Sequence, residues 1–288
     1  LRPDNNFPDA FAGSSVNLRP NILILAGVDP DTGEKRLNQR WFDAFSRHNV
    51  RFTVLDPTCA TRDQAEIMAK AADGILLTGN DLNVLPEFYG AEPLSQRALW
   101  KEVPRHCYSR DRFDNSRCLI ESAIRLDTPI LGVCLGSQEM NVVLGGRLQQ
   151  RIDSHMTAHA DTDDLWDDTW HGITVRPGQL ADIFGDKGVF PENSVHRQGV
   201  LLSDLAGPLR IDAVSLDGRV VEAFSLPGHP FFMGVQFHAE SSRHQPHNAK
   251  IFDRLVAKAH AHMGARMRFD AAHLTTARQT PSVARWLS

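Results

Sequence analysis

No run of basic residues appears anywhere in the chain, and its formal net charge is −4 with an isoelectric point near 6.4. A surface without a basic stripe has no electrostatic footprint for nucleic acid, so no nucleic-acid partner is expected. Cysteine is scarce. The four present, Cys59, Cys107, Cys118 and Cys134, show no C-x-x-C pairing, which argues against a zinc ribbon or redox motif and favours a reduced, cytoplasmic setting. Apolar runs are strand-length, far short of the roughly 20 residues that cross a bilayer. The N-terminal stretch has no charged and apolar leader pattern, so neither export nor a membrane partner is expected.

Metal sites are also missing from the pattern. Thirteen histidines are present, but the pairs His244/His247 and His260/His262 lack further ligands at metal spacing. The acidic cluster at residues 161–168 has no glycine at the sixth and no glutamate at the twelfth position of a calcium loop. It reads as a solvated loop, with a rim attracting a cationic amine as the sharper alternative. No metal and no cofactor is expected. With no internal repeat and no linker in the middle, 288 residues suit one large α/β domain at residues 21–262. A polar arm, residues 1–20, precedes it, and a mixed tail, residues 263–288, follows.

What is present is an alternation of strands and helices. Residues 21–27, 51–55 and 74–79 read as buried strands, continuous in apolar character as in a parallel sheet covered on both faces. Residues 36–48 carry Leu37, Trp41, Phe42 and Phe45 at helical spacing, and helices are also expected at residues 62–72, 112–126, 179–185 and 247–262. Residues 209–215 and 220–225, joined through Asp217-Gly218, read as a hairpin. Such alternation points to a doubly wound, mostly parallel, flavodoxin-like sheet with a small antiparallel extension, and ligands of such sheets sit outside the carboxyl ends of the strands.

The stretch at residues 129–146 carries the chemistry. An apolar strand, residues 130–133, turns abruptly at Cys134 into a helix from about Ser137 that stops at Gly145-Gly146. Gly132 and Gly136 flank the cysteine at minus two and plus two, as a strand-to-helix elbow requires where backbone meets backbone. A thiol lifted to such a tip, at a helix N-terminus, is favoured as a thiolate. About a hundred residues later a second strand ends in His238 and Glu240, a base and a carboxylate able to orient it.

Gly132-Val-Cys-Leu-Gly-Ser-Gln138 and Val235-Gln-Phe-His-Ala-Glu240 resemble the nucleophile and base motifs of class I glutamine amidotransferase domains. Residues 77–90, Asn193-Ser-Val-His-Arg-Gln-Gly199, and Asp217-Gly218 ahead of Val221-Glu-Ala223 resemble the γ-glutamyl-γ-aminobutyrate hydrolase branch, a cysteine-peptidase-like group. The likeness extends over roughly residues 21–259.

It implies a Cys134, His238, Glu240 triad that cleaves a γ-glutamyl amide through a thioester, with an oxyanion hole from the amides of Gly79 and Leu135. It also implies contacts from Ser194, His196 and Gln198 to the glutamyl group. Gln138 either joins them or caps its helix. Leu135 stands where the branch often has Arg, Ala239 where it has Pro, and Arg197 where smaller residues or His are frequent, which leaves the amine open: γ-aminobutyrate, a polyamine or another amine. Two further readings stay open: a glutaminase subunit passing ammonia to a separate synthetase, and a silent binding protein on the same fold. Self-association into a homo-oligomer is left open as well.

Overall fold

The computed structural model of the chain describes residues 18–91, 110–152, 170–241 and 246–279. Five strands run parallel: β1 (Asn21–Leu25), β4 (Arg51–Leu55), β5 (Gly74–Leu77), β6 (Ile130–Val133) and β12 (Phe232–Val235), in the spatial order β4-β1-β5-β6-β12. That is the 2-1-3-4-5 order of a flavodoxin-like sheet. Beyond β12 the same sheet continues antiparallel through β11 (Val220–Ser225), β10 (Arg210–Ser215), β7 (Trp170–Val175) and β8 (Gly188–Asn193), and β9 (Val200–Leu201) pairs with β11. A separate ribbon pairs β2 (Gly27–Val28) with β3 (Lys35–Arg36).

Buried side chains cover both faces. Leu23, Leu25, Ile75 and Leu77 enter one core with Leu119, Ile120 and Ala123 of α3 (Arg110–Leu126). Ile22, Ile24, Leu76 and Val133 enter the other with Ile251, Phe252 and Leu255 of α5 (Ala249–Gln279). Period-two alternation on strands apolar throughout is what a doubly covered sheet demands. Helix α2 (Arg62–Ala71) starts at Thr61, whose hydroxyl accepts from the Gln64 amide while the Gln64 side chain accepts from the Thr61 amide. The hairpin at β10 and β11 follows its Asp-Gly signal, with Gly218 at φ 70°.

Two helical expectations are corrected. Residues 36–48 are not one helix: Lys35 and Arg36 form β3, and α1 spans Arg40–Asp43. The chain then tightens into i→i+3 turns, Phe45 to Phe42 and Ser46 to Asp43. Trp41 and Phe45 are buried as their spacing predicts, because turns of this kind place them on one side as well as a long helix would. The last helix does not stop at residue 262. It begins at Ala249 and runs through Gln279, and Arg266 reaches back to Asp73, Nη2 to Oδ1 2.6 Å. The strand expected to end in His238 and Glu240 covers Phe232–Val235, so both residues lie just past its end. The acidic cluster at 161–168, Cys107 and His244 lie outside the described residues.

Candidate active site

Strands β5, β6 and β12 are neighbours that end at one level, with Leu77 opposite Gly132 and Val133 opposite Val235. Their next residues therefore meet: Thr78 and Gly79, Cys134, and Gln236 through His238. Cys134 adopts φ 50°, ψ −107°, a strained conformation for a residue with a side chain, and is the N-cap of α4 (Leu135–Val143). Its amide donates to Val235 O at 2.8 Å. The two flanking glycines are required by contact. A Cβ on Gly136 would lie 2.4 Å from Leu77 O, and one on Gly132 would lie 2.8 Å from the Gly136 backbone. The helix starts two residues earlier than the sequence suggests, so the Leu135 amide belongs to its first turn, and it ends before Gly145 at φ 91°.

His238 is buried, and its Nδ1 lies 2.7 Å from Glu240 Oε1. Burial opposes the imidazolium, but the charge of Glu240 and the charge and hydrogen bond of Cys134 outweigh it and carry the pKa up to about 10. The ring thus sits between carboxylate and sulfur, and both favour its protonated form. Its backbone is clamped by Asn193, whose Oδ1 accepts from the His238 amide at 2.8 Å and whose Nδ2 donates to the His238 carbonyl at 3.1 Å. Gly79 packs directly on the pair: a Cβ there would fall 2.6 Å from His238 Cε1 and 3.2 Å from Cys134 Cβ. A sulfur nucleophile, a proton donor and a bare backbone amide strand can thus surround one reacting carbonyl.

A second network lies beneath. Gln236 Nε2 points at Cys134 Sγ, 3.6 Å away, and Gln236 Oε1 accepts from Gln138 Nε2 at 3.1 Å. Gln138 also donates to Gln198 O at 2.9 Å, so it does not cap its helix. The amide of Gln198 pairs with the backbone of Val84, Oε1 at 2.8 Å and Nε2 at 3.0 Å, and His196 Nδ1 sits 2.9 Å from Gln198 O. The two glutamines thus fasten the loop after Gly79 and the 193–199 segment to the elbow. Ser194 Oγ is buried without a hydrogen-bond partner among the described residues. Sequence reasoning passed over Gln236 and Asn193, though both stand inside quoted motifs. It also passed over Arg112, a buried residue whose Nη1 donates to Ala26 O at 2.8 Å and whose Nη2 donates to Thr78 O at 2.7 Å.

One histidine of each pair weighed for metal has another duty. His247 Nε2 lies 2.8 Å from Glu192 Oε1, and His262 Nε2 lies 3.2 Å from Leu126 O. Among the described residues no cluster of three or more His, Cys, Asp or Glu could hold a metal ion. No described helix is long and apolar enough to cross a membrane.

A profile of the Peptidase C26 family matches residues 25–240, a span that contains every strand end just described. The chain belongs to this family. Among Peptidase C26-like relatives, the γ-glutamyl-γ-aminobutyrate hydrolase of Escherichia coli O157:H7 is 30% identical over 240 residues, covering 81% of this chain and 89% of that protein. The glutaminase domain of Trypanosoma brucei CTPS, solved with bound acivicin, superposes with a TM-score of 0.56 at 17% identity, over 84% of this chain and 94% of that one. A Thermotoga maritima glutamine amidotransferase gives a TM-score of 0.50 at 17% identity, over 87% and 86%. These two show the fold alone. Family and relatives together make the chain a glutamine amidotransferase-like hydrolase.

Proposed function

We propose that the protein hydrolyses the γ-glutamyl amide bond of a γ-glutamylated amine, releasing glutamate and the amine. The observation that carries the reading is the buried His238–Glu240 pair, 2.7 Å apart, next to an elbow cysteine at φ 50°. Cys134 attacks the γ-carbonyl, and the amides of Gly79 and Leu135 receive the oxyanion. His238, which takes the thiol proton, donates it to the departing amine, which leaves poorly as an anion. Water, deprotonated by His238, then hydrolyses the γ-glutamyl thioester and frees the cysteine. Glu240 holds the imidazole in one tautomer and offsets its charge. Ser194 and His196 contact the glutamyl group, and Gln138, Gln198 and Gln236 shape the wall behind it.

The amine leaves on the His238 side, where Arg36, Asn38, Arg40 and Trp41 line an opening together with Gly79, Asn80, Asp81, His238 and Glu240. Arg36 is bridged to Asp81, Nη1 to Oδ2 2.8 Å. Arg36 and Arg40 share this mouth with Asp81 and Glu240, and γ-aminobutyrate, whose far end is a carboxylate a guanidinium can bind, is the first amine to try ahead of a polyamine. The test is glutamate release from glutamine, γ-glutamyl-γ-aminobutyrate and γ-glutamyl-putrescine, with Cys134→Ala as blank. Turnover fastest with the carboxylate-bearing amide and absent in the variant is expected. Failure to turn over any of them overturns the reading, and turnover appearing after addition of a synthetase would replace it with an ammonia-supplying subunit.

A further inference from the structure

We infer that Arg112 is a positioning residue for the oxyanion hole, holding the Thr78–Gly79 peptide so that the Gly79 amide faces the reacting carbonyl at Cys134; this rests on the hydrolase reading above. Arg112 is 1% exposed, and one guanidinium joins three elements. It binds Ala26 O after β1 at 2.8 Å, Thr78 O after β5 at 2.7 Å, and Glu139 Oε2 of α4 at 3.3 Å. The Thr78 hydroxyl adds a bond to Leu25 O at 2.7 Å. A charge partner for Glu139 would place its shortest bonds on the carboxylate. Here the two shortest go to backbone carbonyls.

The consequence follows from peptide geometry. The unit from Thr78 Cα to Gly79 Cα is planar and trans, so its C=O and N–H point in opposite directions. With the carbonyl fixed on Arg112, the N–H is turned away from Arg112. Gly79 packs against the catalytic pair, a Cβ on it falling within 3.2 Å of His238 and Cys134, which puts that pair within reach of the N–H that Arg112 does not hold. Glycine is the residue least able to hold its own peptide plane, because no Cβ restricts it. An outside clamp replaces that missing restraint. A cationic donor on the carbonyl also polarises the peptide and strengthens its N–H as a donor to negative charge.

The test uses Arg112→Lys, and Arg112→Met combined with Glu139→Gln so that no buried carboxylate is left unpaired. Three quantities are read: kcat and KM for glutamate release, the rate of Cys134 alkylation by iodoacetamide, and the Gly79 amide signal in protein labelled with 15N-glycine. Alkylation is displacement at a saturated carbon and uses no oxyanion hole. In the double variant kcat is expected to fall about 100-fold, the loss typical of one oxyanion donor, with KM and alkylation within threefold of wild type and the Gly79 signal shifted. Lysine, reaching one carbonyl instead of two, should recover part of kcat.

An unshifted Gly79 signal, or kcat and alkylation falling in parallel, overturns the inference. If the double variant does not fold, Arg112→Lys decides by the same criteria. If the wild-type protein cleaves no γ-glutamyl amide, the hydrolase reading falls by itself. The Gly79 signal then still decides whether Arg112 sets this peptide.

Discussion

Beside the sulfur of Cys134 lies an uncharged amide, and its being uncharged matters. Gln236 Nε2 is 3.6 Å from Sγ and its other end is fixed by Gln138, so a donor and not an acceptor faces the thiol. Gln236→Glu would put a carboxylate against a thiolate, and iodoacetamide alkylation of Cys134 at pH 7 is expected to slow by about tenfold or more, on the scale of one close like-charge pair. Glu240 works in the opposite sense, supporting the imidazolium of His238, whose pKa is raised to about 10. Glu240→Gln removes that support, so the His238 pKa must fall, and the alkaline limb of the hydrolysis rate should move to lower pH by more than one unit. A pH–rate profile of kcat checks it. Cys134, His238 and Glu240 were legible in the sequence because glycines at fixed offsets and a carboxylate two residues from a histidine on one strand are rare accidents. Gln236 and Arg112 were not, because a buried glutamine or arginine has the same letter as an exposed one, and their partners are backbone atoms that no motif records.

At the scale of elements, the helix after the nucleophile carries its own cost. Glu139 on α4 is fully buried, and burial pushes its carboxyl up to about 7 against the pull of Arg112. Between the ordinary value of 4.5 and 7 the folded protein keeps a proton that the unfolded chain has lost, so stability declines as pH rises through this window. The shift corresponds to about 3 kcal/mol above pH 7. Glu139→Gln should flatten this part of the curve of melting temperature against pH. A residual slope of the same sign is expected from Glu192 and Asp212, whose carboxyls burial also pushes up. Elements were legible where one signal dominated: apolar strands, the helix after residue 62, the Asp-Gly hairpin. Residues 36–48 misled because four apolar residues at helical spacing satisfy a run of short turns equally well, and the residue spacing does not encode which hydrogen bonds close them.

The whole molecule depends on long-range ties. Arg266 anchors the extended last helix to Asp73, whose side chain is 1% exposed and also accepts from the Asn21 amide at 2.9 Å. Arg266→Ala would leave that buried carboxylate without its cation. It should cost about 1–2 kcal/mol, discounted because Arg266 is over one-third exposed, and lower the melting temperature by about 3 °C. Hydrogen exchange should rise in the helix beyond residue 262 while the Cys134 elbow stays protected. The helix's length was hidden in the sequence because no proline or strong cap marks an end near residue 262, and Gly264 is tolerated within it.

The position of β12 has a consequence for the chain as it is made. This strand lies between β6 and β11, although both precede it in sequence. A nascent polypeptide that has emerged only as far as β11 therefore holds its cysteine at an open sheet edge, with neither base nor carboxylate. The last parallel strand to be synthesised fills the gap and delivers both. The approach of His238 and Glu240 to Cys134 is in this way postponed until the sheet is closed, and a ribosome stalled before residue 232 would leave that edge of β6 without its parallel neighbour.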